Sequence, residues 1–132
     1  MSESFNLEIV NPEKSFLLKE NVSEVVVPAF EGDMGILKDH ISIISFLKPG
    51  IIKVFSGSEE EKFYVEDGIL EFKDNNLSIL TSHIFDLKNI NKDEVNNSIS
   101  DAEKELLKED LDDQKKFLLY NKIEVLKSIS LS

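Results

Sequence analysis

Phe5, Asn6, Leu7, Glu8 and Ile9 alternate apolar and polar side chains, the period of two expected of a strand with one buried face. Asn11-Pro12 closes that run. Residues 22–27 are rich in β-branched side chains and stop at Pro28, and two further strand regions, 41–46 and 51–55, flank the turn Lys48-Pro49-Gly50. Ser56-Gly57-Ser58 reads as a hairpin tip, followed by strands over 62–65, 69–72 and 77–80, with a tight turn at Asp74-Asn75-Asn76. Glu59-Glu60-Glu61 is most simply a solvated strand entrance. Every glycine and proline of the chain precedes Ile69, and turn residues at short intervals between β-rich runs predict an all-β sandwich or barrel.

Beyond about Asp86 the period changes. Val95, Ile99, Ala102 and Leu106 fall at i, i+4, i+7 and i+11, one stripe of a helix, and Asn91 with Glu94 resembles a capping box at its start. Asp110 is placed to cap a second helix carrying Leu111, Leu118, Leu119, Ile123, Leu126 and Ile129. Two such helices cannot build a core alone, because most helix stability comes from packing an apolar face. The predicted organisation is a β-sandwich over 1–86 and an antiparallel two-helix hairpin over 87–132, docked either on the sandwich or on another chain.

Charge narrows the function. The 26 acidic against 15 basic residues leave a formal charge of -11, which argues against a nucleic-acid surface and against unaided binding to an anionic bilayer. No apolar run approaches a membrane span, and Met1-Ser2-Glu3-Ser4 lacks the basic flank of a signal peptide, so the chain is expected to stay in the compartment where it is made. Cysteine is absent, and His40 and His83 are the only histidines, so no metal site and no cofactor are expected. Residues 32–38 do not match a P-loop, and no nucleophile elbow occurs; no catalytic residues are assigned.

The most informative stretch is 27–40. Its plain reading is a strand, a glycine-bearing turn, a short strand and a second turn with acidic residues and a histidine exposed. Pro28, Glu31, Gly32, Asp33, Gly35, Ile36, Leu37 and His40, then Leu47, Pro49 and Gly50, then Val65, Gly68 and Glu71, together resemble the ε subunit of F-type ATP synthases. The opening residues 7–13 also resemble that family's first strand, while the hairpin matches only in length and helical pattern.

The resemblance implies a ten-stranded sandwich at the foot of a proton-driven rotor, bound to the γ subunit and the c-ring, on the cytoplasmic face of the bacterial inner membrane. It implies that one tip carrying Asp33 and His40, with Glu31 beside them, faces the c-ring; the alternative for His40 is a loop residue that caps nearby backbone. It also implies transient contact of the hairpin with the α/β catalytic head, inhibiting hydrolysis through Lys115, Lys116, Lys122 and Lys127; the alternative is an ordinary solvated helix face whose lysines complement the helix dipole. Many relatives bind ATP at the hairpin through a motif with aspartate and arginine, but this chain has Asn91 and Glu94 there and no arginine anywhere, so nucleotide binding is not expected. The competing reading is a free-standing small-molecule or nucleotide-binding module with the hairpin as lid.

Overall fold

The N-terminal alternation becomes strand β1 (Phe5–Asn11), with Phe5, Leu7 and Ile9 buried and Asn6 exposed. The computed structural model describes residues 4–12 and 14–130; the expectations touching Met1 to Glu3, Glu13 and Ser132 lie outside them. β2 (Lys14–Val22), β3 (Glu24–Ala29), β4 (Gly32–Leu37), β5 (Ile43–Leu47), β6 (Gly50–Ser56), β7 (Glu59–Val65), β8 (Gly68–Lys73), β9 (Asn76–Leu80) and β10 (Ile84–Asp86) complete ten strands. They form one curled sheet ordered β10-β7-β6-β3-β5-β8-β9-β1-β2, with β4 on the other edge of β3. Neighbours are antiparallel except β1 and β9, which run parallel. The sandwich fold expected from the sequence is therefore present, followed by helices α1 (Lys92–Leu106) and α2 (Asp113–Ser130).

Pro49-Gly50 joins β5 to β6, both of which pair with β3. A Cβ on Gly50 would lie 2.4 Å from Pro28 Cβ, so only glycine lets β6 lie flat against β3 there. The core enclosed is aliphatic and aromatic: Leu7, Ile9, Val25, Ile36, Ile52, Phe63, Leu70, Phe72 and Ile79 are all within a few percent of fully buried.

β2 escapes a simple alternation reading because the β1–β2 ladder shifts register twice, and each shift moves side chains to the opposite face; Leu18 ends up solvent-exposed. The glutamate run is the solvated entrance of β7, already in the ladder: Glu59, Glu60 and Glu61 pair with Ser56, Phe55 and Val54, and Glu61 forms an ion pair with Lys19. The expected cap at Asp110 is corrected to Asp112, whose Oδ1 accepts from Lys115 N at 2.8 Å, because α2 starts two residues later. Asn91 does cap α1, accepting from Asp93 N and Glu94 N at 2.9 and 3.2 Å.

The hairpin docks on the sandwich. A second apolar cluster joins Val95, Ile99 and Ala102 of α1 and Ile123, Leu126 and Ile129 of α2 to Tyr64, with Ile51 and Phe85 packed against it. This explains why Phe63, Tyr64 and Val65 are all buried in succession: one face of β7 looks into the sandwich, the other is covered by helices. Tyr64 stacks on Phe85 with ring centroids 5.0 Å apart, yet its hydroxyl is buried without a hydrogen-bond partner.

Candidate interaction surface

An antiparallel sheet with one face in the core is expected to turn polar residues to water on the other. Strands β5, β8 and β9 do the opposite in one place. Phe46 pairs with Ile69, and Ile69 with Leu80, so three outward-facing apolar side chains stand side by side across three strands. They are 60%, 44% and 51% exposed. Phe30 extends the row, its N–H donating to Phe46 O at 3.3 Å, and Ile44 lies one outward position along β5 at 66% exposure. Apolar side chains left in water gain nothing on folding, and a contiguous exposed patch of them marks a surface that another molecule covers.

The row floors a groove of about 920 Å³ with a polar rim of Glu31, Glu66, Asp67, Thr81 and Ser82, closed on one side by Gln114 and Leu118 of α2. The rim is built, not incidental. Asp67 Oδ1 accepts from Ser82 N at 2.9 Å, Ser82 Oγ donates to Asp67 Oδ2 at 2.6 Å, and buried Thr81 Oγ1 donates to Asp67 O at 2.7 Å. Burial pushes the Asp67 carboxyl upward, but the Ser82 and Thr81 hydrogen bonds and the nearby His83 outweigh it and hold the pKa below the ordinary carboxylate value. Glu66 on the same rim pairs with Lys122 of α2 at 2.8 Å.

The residues singled out in the sequence are not gathered at one place. Glu31 and Asp33 are exposed at the β3–β4 turn, whereas His40 follows the far end of β4, a strand about 17 Å long. Strand, glycine-bearing turn, short strand and second turn follow one another as read from the sequence, and β4 stands between Glu31 with Asp33 at one end and His40 beyond the other. His40 is half-buried, its Nδ1 donates to Ile41 O at 2.8 Å and its ring meets Phe72 edge-on at 6.0 Å, the surroundings of a residue that closes a turn. On α2, Lys115 and Lys116 are exposed, while Lys122 pairs with Glu66 and Lys127 lies 3.6 Å from Glu103.

Near the start of α1 a smaller cleft of about 300 Å³ is lined by His83, Asn91, Glu94, Asn97 and Asp101 among others. The Asn91 side chain is committed to capping, and two carboxylates without any lysine in the lining oppose a phosphate. No cluster of three or more His, Cys, Asp or Glu side chains able to hold a metal occurs among the described residues. The exposed row escaped the sequence reading because Phe46, Ile69 and Leu80 lie on separate strands; the available signal was that 44 and 46, out of phase with buried Leu47, are both large and apolar.

Comparison with known proteins places these features in context. The family model for the ATP synthase, Delta/Epsilon chain, beta-sandwich domain matches residues 4–86. The chain is 65% identical over 130 residues to the ATP synthase epsilon chain of Pelagibacter ubique (strain HTCC1062), covering 98% of this chain and 100% of the relative. It is 32% identical over 130 residues to the ATP synthase epsilon chain of Parvibaculum lavamentivorans, covering 98% and 97%. In fold it is similar to a chain of the Euglena gracilis mitochondrial ATP synthase OSCP/F1/c-ring structure, with TM-score 0.76, 19% identity and 97% and 82% coverage. A chain of the Tetrahymena thermophila mitochondrial ATP synthase central stalk/c-ring structure gives TM-score 0.65, 16% identity and 98% coverage of both.

Proposed function

Because the chain belongs to the ATP synthase delta/epsilon family, we propose that it is a non-catalytic rotor part seated between the γ subunit and the c-ring, on the cytoplasmic face of the bacterial inner membrane. The observation that carries this is the exposed row Phe30, Phe46, Ile69 and Leu80, an apolar strip with an acidic rim and the composition of a protein-binding patch. γ occupies it through a segment that is apolar at its centre and basic at its flanks, complementing Glu31 and Asp67 and the chain's overall charge of -11. Glu31 and Asp33, exposed on a short turn, are the c-ring contacts; His40 supports the fold at the other end of β4. Among the described residues no helix is long and apolar enough to cross a membrane; attachment to the membrane runs through the complex.

The hairpin is the regulatory part. Lys115, Lys116 and the exposed Lys127, 3.6 Å from Glu103 of the same hairpin, are available to the acidic catalytic head while the hairpin is docked, and Lys122 becomes so only when its partner Glu66 is given up. Engagement of all four lysines therefore requires release of α2 from the sandwich.

Titration of purified cognate γ with the wild-type chain and with Phe46→Asp tests the reading. Wild type binds, and Phe46→Asp loses roughly thirtyfold or more in affinity while keeping its fold, since a central interface aromatic is worth about 2 kcal/mol or more. Equal affinity of the two overturns the placement of γ on the row.

A further inference from the structure

The Asp67 carboxylate on the groove rim has a fixed direction and an unanswered charge. Asp67 stands in the β7–β8 connection and Ser82 in the β9–β10 connection, and Ser82 holds both carboxylate oxygens, its N–H donating to Oδ1 at 2.9 Å and its Oγ to Oδ2 at 2.6 Å. Buried Thr81 fixes the backbone beneath through its hydroxyl bond to Asp67 O. Among the described residues Glu61, Glu66 and Glu103 are paired with Lys19, Lys122 and Lys127, and no lysine lies within ion-pair reach of Asp67. A carboxylate offers about four acceptor positions, so with the Ser82 hydroxyl as its donor Oδ2 can still accept an N–H from outside.

Position selects the kind of cation. Gly68 pairs with Leu47, and Ile69 lies between Phe46 and Leu80, so Asp67 sits two residues, about 7 Å along an extended chain, from the middle of the apolar row. A side chain reaching Asp67 from that row lays an aliphatic stem over apolar surface and ends on a carboxylate, which suits arginine: its guanidinium is weakly hydrated and directional, whereas an ammonium gives up more hydration on entering such a groove. The chain contains no arginine, so neither its own fold nor a second copy supplies one.

We infer that Asp67 is the anchor for one arginine of γ, whose guanidinium donates to Oδ2 while its stem covers Ile69 and Leu80. This rests on the placement of γ on the apolar row and adds the residue that sets the register there. Apolar contacts alone tolerate a shift along a row of similar side chains, whereas a charged hydrogen bond to an oriented carboxylate is satisfied at one position. Ser82 is then a positioning residue, acting on γ through Asp67.

The test titrates purified γ into the wild-type chain, Asp67→Asn, Ser82→Ala and Glu60→Gln, the last a control for one lost charge on the exposed start of β7, outside the groove. Asp67→Asn is expected to bind roughly tenfold more weakly, with an affinity less sensitive to salt. Ser82→Ala keeps the charge but frees its direction, and is expected to lose about threefold, with Glu60→Gln within about twofold of wild type. Phenylglyoxal modification of γ, read by mass spectrometry, is expected to show one arginine that the wild-type chain protects and that Asp67→Asn at the same concentration leaves reactive. Where thermal unfolding shows that Asp67→Asn is not folded, the Ser82→Ala affinity and the arginine protected by the wild-type chain decide. Affinity of folded Asp67→Asn within about twofold of wild type, or the absence of a protected arginine, overturns the anchor; γ stays on the row if Phe46→Asp still loses affinity. Failure of the wild-type chain to bind γ overturns the placement itself.

Discussion

Asp39 N donates to Asn75 Oδ1 at 2.7 Å while Asn75 Nδ2 donates back to Asp39 Oδ1 at 3.0 Å, so the β4–β5 and β8–β9 turns are clasped by a reciprocal pair. Both residues have positive φ, 65° and 59°, where Asp and Asn are among the few side chains tolerated. Asn75 O also accepts from Asn6 N at 3.1 Å, which ties the start of β1 to the same corner. His40, next in the chain, inherits its position from this clasp.

Asn75→Ala removes both side-chain bonds and strains the left-handed backbone, and is expected to lower stability by about 1–2 kcal/mol in urea denaturation. Asn75→Gly relieves the strain but not the lost bonds, so its midpoint is expected to fall between those of wild type and Asn75→Ala.

Asp67 provides a pH test. Its pKa in the folded chain lies below the ordinary carboxylate value of 3.8, so its stabilising effect is present above that value and is lost as pH falls through the lower folded one. Wild type is expected to exceed Asp67→Asn in stability near neutral pH, with the difference shrinking below about pH 4. A constant difference across the acid range contradicts the role assigned to the Ser82 and Thr81 hydrogen bonds.

Tyr64 titrates in the other direction. Burial first, then the charge of Glu66, raises its pKa well above the ordinary value of 10.0. The unfolded chain ionises this group first, so its presence costs stability as pH rises above about 10. Tyr64→Phe also removes the unpartnered hydroxyl, and is expected to be as stable as wild type or up to about 1 kcal/mol more so at neutral pH, with a shallower alkaline loss. Protease resistance of 113–130 reports whether the gain lies in hairpin docking.

Lys115→Gln with Lys116→Gln addresses inhibition. Both side chains are exposed in the docked hairpin and support little of the fold, so thermal stability is expected to stay within about 0.5 kcal/mol. Two exposed charge contacts with the catalytic head, at about 0.2–1 kcal/mol each, predict an increase in ATP hydrolysis of the assembled complex from about twofold to about thirtyfold. Unchanged hydrolysis assigns these lysines to the solvated face of α2.

Much of the architecture is local and was legible in the residues. Alternation over 5–9, the β-branched run before Pro28, the turns at Lys48-Pro49-Gly50 and Asp74-Asn75-Asn76, and the stripe Val95, Ile99 and Ala102 are set by side-chain period and backbone preference within a few residues. Asn91 announced its cap for the same reason, since an N-cap needs only the next three residues. Tertiary structure alone decided the rest. β4 separated Glu31 and Asp33 from His40, the hairpin chose the outer face of β6 and β7, and Phe46, Ile69 and Leu80 became neighbours only through the registers of three strands. The physical reason is range: a side-chain period is encoded by adjacent residues, whereas an exposed apolar row or an Asp39–Asn75 clasp exists only after segments tens of residues apart find one register, and that register is selected by the energy of the whole core.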